Sequence, residues 1–263
     1  MVRLAANLSL MFGDLPFLDR FAAAAEAGFR AVEFMFPYGE TKEAVAAQLA
    51  DHGLELALFN MPAGAWAEGE RGIGAHPDRV AEFREGASLA LDYARQLGCK
   101  RLHLMAGKTG GLDQAACRET LIDNIRFAAD LVAGDGIDIL VEPINTRVDI
   151  PGYFYDTTAA AMRVIEEAAR PNVRLQYDVY HMQIMEGHLA RTIERLLPAI
   201  GHVQIADNPG RGEPGTGEIN YPFLLGHLDR LGYDGFVGCE YIPVNGTIEG
   251  LAWAAPYLQS VEG

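Results

Sequence analysis

The stretch Ile137-Asp138-Ile139-Leu140-Val141-Glu142 has two distinct faces. Its odd positions, Ile137, Ile139 and Val141, are all apolar, while Asp138 and Glu142 share the even set with Leu140. Successive side chains of a strand point to opposite sides, so the odd set turns toward covering helices and the even set toward the other face. The pattern returns three times. Val173, Leu175 and Tyr177 alternate with Arg174, Gln176 and Asp178; Val203 and Ile205 with His202 and Gln204; Val237 and Cys239 with Phe236, Gly238 and Glu240. A strand in a parallel sheet normally reads as a continuous apolar run. Polar groups on one face of four successive strands predict that this face lines a barrel interior. The last of them fall at the C-terminal strand ends, where barrel active sites form.

Working outward, short apolar runs at residues 3–7, 31–34, 55–60, 101–105, 138–142, 173–178, 202–206 and 236–240 read as strands. Between them lie apolar residues at helical spacing: Val80, Phe83, Ala87, Leu91 and Ala94; Leu121, Ile125, Ala128 and Val132; Leu224, Leu228 and Leu231. Eight strands alternating with helices predict an α/β fold, a (β/α)8 TIM barrel forming a single domain over residues 1–263. A doubly wound sheet is the rival, because periodicity does not reveal closure. No Pro- or Ser-rich linker or charge block divides the chain.

The net charge of −15 disfavours nucleic acid, whose phosphates an acidic surface repels. A small anionic ligand is compatible with it, given a local cationic pocket. No apolar run is long enough for a membrane span, and residues 1–4 do not read as a signal peptide. Cys99, Cys117 and Cys239 are odd in number and far apart, which predicts a reduced, cytoplasmic protein. A homo-oligomer is open at this stage.

Glu142, Asp178, Gln204 and Glu240 share strand parity and lie near strand ends. In a barrel they converge. Three carboxylates in one place repel one another and do not all stay ionised without compensation. A divalent cation supplies it, and this oxygen-rich set suits Mg²⁺ or Mn²⁺. The alternative is four ordinary polar residues at strand ends of an acidic protein. Further candidates for binding a ligand are His181, Arg71, Lys108 and Arg211. His181 lies three residues past Asp178, where it contacts a ligand or caps a turn. Arg71 belongs to a long loop with an exposed-looking Trp66, either a lid or an ordered Ω-loop. Lys108 follows the fourth strand without a full phosphate-loop pattern. Arg211 lies in a Gly-rich segment expected to be a mobile loop. The spacing Gly210-x-Gly212-x-x-Gly215 formally matches a dinucleotide fingerprint, but Pro214 interrupts it and no helix opens at its end. His103 and Glu33 are expected to point inward.

Several segments carry a resemblance. They are Val141-Glu142-Pro143-Ile144-Asn145, Gln176-Tyr177-Asp178-Val179-Tyr180-His181-Met182-Gln183, His202-Val203-Gln204-Ile205-Ala206-Asp207-Asn208-Pro209 and Gly212-Glu213-Pro214-Gly215-Thr216-Gly217-Glu218. With Ala6-Asn7-Leu8-Ser9, Glu33-Phe34-Met35-Phe36-Pro37-Tyr38 and Gly69-Glu70-Arg71-Gly72, the sequence resembles the hydroxypyruvate isomerase family of the xylose isomerase-like TIM barrel superfamily. The wider superfamily usually ligates its metal through Glu, Asp, His and Glu. Gln204 stands where His is usual, a departure shared by the hydroxypyruvate isomerase branch that argues against the ketose 3-epimerases. The 2-oxotetronate isomerases have very similar motifs.

The resemblance implies interconversion of hydroxypyruvate and tartronate semialdehyde, a proton shift between adjacent carbons through an enediolate. Glu142 and Glu240 are the expected acid/base pair, and a small anionic 2-oxo acid the expected substrate. Its carboxylate needs a cation, for which Arg211, Lys108, Arg71 and protonated His181 are the candidates. Two competing readings are an endonuclease IV-type nuclease and a non-enzymatic sugar-acid sensor. The first wants several metals, many histidines and a cationic surface; the chain has seven His and a charge of −15. The second has no signature of its own.

Overall fold

In the computed structural model, which describes residues 1–258, eight parallel strands close on themselves in the order β1 to β8. They are β1 (Arg3–Asn7), β2 (Ala31–Phe34), β3 (Glu55–Asn60), β4 (Arg101–His103), β5 (Asp138–Val141), β6 (Val173–Asp178), β7 (Ile200–Ile205) and β8 (Phe236–Cys239). The closing pair sets Arg3 of β1 against Phe236 of β8. Closure excludes the doubly wound sheet. The intervening helices are α1 (Asp19–Glu26), α2 (Lys42–Asp51), α3 (Val80–Leu97), α4 (Gln114–Val132), α5 (Thr158–Ala168), α6 (Val179–Met185), α7 (Leu189–Leu196) and α8 (Tyr221–Leu231). Local chemistry marks several starts. Thr41, Asp113, Thr157 and Asn220 each accept a hydrogen bond from a first-turn backbone N–H, at α2, α4, α5 and α8. Each such cap contributes about 0.5–2 kcal/mol.

Strand parity divides the core as expected. Ile139, Val141, Val173, Leu175, Tyr177, Val203, Ile205, Val237 and Cys239 join one apolar cluster with the inner faces of the helices. A separate small cluster of Ala5, Ala31, Ala57 and Phe236 fills the barrel interior near the N-terminal strand ends. Above it lie buried polar groups. Glu33 accepts from Asn7 Nδ2 at 3.0 Å and Gln204 Nε2 at 2.8 Å, and pairs with His202 Nε2 at 2.6 Å. Glu33 is thus a satisfied interior carboxylate.

Gly238 exists to make room for it. A Cβ there would stand 2.2–2.4 Å from the Glu33 carboxyl atoms. Gly238→Ala should therefore lower stability by about 1–3 kcal/mol, the usual cost of overpacking a core. A denaturant midpoint unchanged from wild type would show that the carboxylate swings aside freely.

Four strands end earlier than expected: β4 at His103, β5 at Val141, β7 at Ile205 and β8 at Cys239. Glu142 and Glu240 are thus the first residues beyond their strands. Among the described residues no helix is long and apolar enough to cross a membrane. All three cysteines are buried and unpaired.

Candidate active site

Glu142, Asp178 and Glu240 come together at the C-terminal end of the barrel. Each interacts electrostatically with the other two, and all three are buried. Asp178 has divided duties. Its Oδ1 caps α6, accepting from the backbone N–H of Tyr180 at 2.7 Å and of His181 at 3.3 Å. That fixes the carboxylate and leaves Oδ2 buried without a partner; Glu142 Oε1 is in the same state. Buried polar atoms are rarely left unmatched, and each costs about 1–3 kcal/mol, more for charged groups. Two orphaned carboxylate oxygens side by side fit a cation.

Glu142, Asp178 and His181 each offer a ligand atom, all within 4.8 Å of one another. His181 Nε2 is 3.8 Å from Glu142 Oε1 and 3.7 Å from Asp178 Oδ2. Gln204, the fourth member of the expected set, is placed differently. It pairs in register with Asp178 on one side and with Gly238 on the other, two residues below Glu240. Its amide oxygen accepts from Gln176 Nε2 at 2.6 Å while its nitrogen donates to Glu33. Gln204 thus belongs to the polar floor, its amide oxygen accepting one hydrogen bond of the two it can take.

A cavity of about 260 Å³ opens above this cluster. Its size suits a small molecule. Glu142, Glu240, His181, Arg71, Arg211, Trp66 and Asp149 are among its walls. Arg211 Nη1 donates to Asp149 Oδ1 at 2.8 Å, Nη2 lies 3.4 Å from Glu240 Oε2, and the guanidinium sits 5.3 Å from the Tyr180 ring centre. Arg71 stacks on Trp66 at 4.1 Å, and Trp66 leans on Phe36. Trp66 is therefore half-buried and part of the wall, not the exposed side chain expected. Lys108 is not in the wall. Its backbone bridges to Tyr153 and accepts from the His76 ring, leaving the side chain exposed on the outer surface.

The Gly-rich loop has a clear organiser that sequence reasoning missed. The buried Asp207 carboxylate accepts from the backbone N–H of Asn208, Gly215, Gly217 and Ile219 at 2.8–3.0 Å. The glycines let the backbone wrap one carboxylate: a Cβ at Gly217 would fall 2.1 Å from the Asn208 carbonyl oxygen. Where a mobile loop was expected, the segment is tied to a fixed anchor. Asp149 and Asn145 were missed as well. They lie on the loop after β5, where no period exposes them, although Asn145 belongs to a segment that carries the resemblance.

Burial pushes the carboxyls of Glu142 and Glu240 well above the usual range, and neighbouring carboxylates add to it; Arg211 partly offsets the rise. Burial also depresses His181 to about 4, despite Asp178 nearby. Burial thus opposes a protonated His181 serving the substrate carboxylate. His103, whose Nε2 lies 3.4 Å from Glu142 Oε2, is pushed down to about 3, first by burial. Burial opposes the ionisation of Asp149, but Arg211 and the Asn145 amide outweigh it and hold that carboxyl low.

A pH dependence follows. Two carboxyls with raised native values bind more protons folded than unfolded. Metal-free stability therefore falls as pH rises from the ordinary carboxylate range toward the raised values. The melting temperature of chelated protein should drop as pH rises above the ordinary carboxylate range, and added Mg²⁺ or Mn²⁺ should restore more of it at the upper end of that rise. Glu142→Gln should flatten the slope. A slope identical in wild type and variant would remove Glu142 as its source.

Residues 21–257 match the model of the xylose isomerase-like TIM barrel family. The 2-oxo-tetronate isomerase of Cupriavidus necator is 49% identical over 98% of this chain and 99% of its own length. The hydroxypyruvate isomerase of Escherichia coli is 48% identical over 98% of this chain and 100% of its own. A crystal structure from Brucella melitensis, described as an AP endonuclease of family 2, superposes with a TM-score of 0.97 at 52% identity, covering 98% of this chain and 100% of that one. On the barrel, the matched length and these relatives, the chain belongs to the xylose isomerase-like TIM barrel family and is an isomerase within it.

Proposed function

We propose that the chain interconverts hydroxypyruvate and tartronate semialdehyde, with Glu142 and Glu240 as its acid/base pair. The observation that carries this reading is a cluster of three buried carboxylates, two of which, Glu142 and Glu240, line a small cavity walled by two arginines. The carboxylates suit proton transfer, and the arginines suit a short acid.

The reaction moves one proton from C3 to C2 and one from the C3 hydroxyl to the C2 oxygen. A carboxyl with a raised pKa is a stronger base than an exposed one, and its conjugate acid returns the proton more readily near neutrality. Glu142 and Glu240 are both raised. Arg211 and Arg71 offer charge-assisted hydrogen bonds to the substrate carboxylate. Walls built from Trp66, Ile144 and Ile150 keep bulk water from the enediolate. Glu142 and Asp178 would hold a divalent cation such as Mg²⁺ or Mn²⁺, with Glu240 and Gln204 completing its oxygen set. That ion would supply Lewis-acid stabilisation of negative charge on adjacent substrate oxygens.

A second reading is isomerisation of a four-carbon 2-oxo acid, favoured by the Cupriavidus necator relative at 49% identity. Chelated enzyme, resupplied with Mg²⁺ or Mn²⁺ and offered hydroxypyruvate and 2-oxo-tetronates, separates the two by kcat/KM. Turnover of neither acid would leave the proposal without support. The nuclease named for the Brucella melitensis protein fits poorly here, since a net charge of −15 opposes approach to the DNA phosphates. Three unpaired thiols favour a cytoplasmic setting.

A further inference from the structure

Asn145 lies between the two groups that face the substrate cavity from the β5 and β6 ends. Its Oδ1 accepts from the backbone N–H of Val148 at 2.9 Å and of Asp149 at 3.0 Å. Its Nδ2 meets Asp149 Oδ2 at 2.5 Å and His181 Nδ1 at 2.8 Å. These contacts fix which end of the amide is which. Turned over, the amide would set its NH₂ against two backbone donors and its oxygen against a carboxylate. The group facing His181 Nδ1 is therefore an N–H donor, and an N–H donor needs a lone pair opposite it. A neutral imidazole with its lone pair on Nδ1 carries its proton on Nε2.

We propose that Asn145 is a positioning residue that locks His181 as the Nε2–H tautomer, so that the ring presents a hydrogen-bond donor, not a ligand lone pair, to the carboxylate cluster and the cavity. Distance alone would admit His181 as a metal ligand beside Glu142 and Asp178. Coordination through Nε2 would move the proton to Nδ1, where it would meet the Asn145 N–H at 2.8 Å, donor against donor. The Nε2–H also lies too far from both carboxylates, at 3.7 and 3.8 Å, to be consumed by either. It is left for an oxygen of a bound molecule. In the proposed isomerisation, on which this part rests, that oxygen is one gaining negative charge as the enediolate forms. Asn145 also holds Asp149, which holds Arg211. One amide thus orients both the neutral donor and the cationic one.

The test reads the ring directly. Long-range ¹H–¹⁵N spectra of histidine-labelled, metal-free protein, with His181 assigned by difference from His181→Gln, should show an acceptor nitrogen at Nδ1 and a protonated one at Nε2. Saturating Mg²⁺ should leave the Nε2 proton in place. Asn145→Asp, which can only accept toward the ring, should invert the tautomer and lower kcat by about 10²-fold, the scale for losing one aligned donor to a developing oxyanion. A wild-type ring protonated at Nδ1, or loss of the Nε2 proton on adding Mg²⁺, would overturn the proposal even if the variant does not fold. Inversion of the tautomer with unchanged kcat would overturn its role in the reaction. A wild type with the expected spectrum but no turnover of 2-oxo acids would instead sink the proposed reaction and leave the tautomer lock standing.

Discussion

Glu142→Gln and Glu240→Gln should each lower kcat by at least about 10²–10⁴-fold, the span typical of a positioned acid or base. Each change removes a proton carrier and, at the same time, an anionic oxygen from the set that suits a divalent ion. The same variants should melt higher than wild type in chelator, because they relieve a repulsion that burial makes severe. Opposite signs for activity and metal-free stability are what a functional cluster predicts; a purely structural pair would lose both together. Turnover in D₂O adds an independent check. A carboxyl that exchanges with solvent between removing and returning the proton leaves deuterium on the product carbon. Normal turnover by both variants, with no deuterium incorporated, would defeat proton transfer through this pair.

Arg211→Ala should raise KM by about 10–100-fold, the loss of one charged hydrogen bond to the substrate carboxylate. Its kcat should fall as well, for a reason visible in the geometry. Arg211 is the cation that restrains the rise of the Glu240 carboxyl. Without it Glu240 holds its proton more tightly, so the acid limb of the kcat/KM profile should move to higher pH. Asp149 loses its cationic partner in the same step, keeping only the Asn145 amide of the two, and stability should drop by about 1–3 kcal/mol, tempered by the 21% exposure of the Arg211 side chain. A raised KM with an unmoved pH profile would mean that Arg211 binds substrate without tuning Glu240.

The strand faces were legible because a period of two leaves a trace in any strand with one polar side. Ile139 and Val141 against Glu142, and Val203 and Ile205 against Gln204, sort correctly with no knowledge of closure. Height was less legible. Parity sets a face, whereas the stagger of neighbouring strands sets the level, and it takes Gln204 into the floor beside Glu33. Loop residues left no periodic trace at all. Asn145, Asp149 and Asp207 act through hydrogen bonds to backbone or to one another, and Lys108 follows a strand end yet faces away. The resemblance named the family, but it gave no sign that an amide would fix a histidine ring.

The Glu33, His202, Asn7 and Gln204 network, with the alanine-lined layer beneath it, closes the bore of the barrel from below. The molecule is a cup, not a pipe. Whatever enters the cavity must leave by the same mouth, past Trp66, Arg71 and Arg211, before another molecule can follow. Traffic is therefore single-file, and exchanging the rim segments that bear those residues would retune which acids are admitted while leaving the base of the cup untouched.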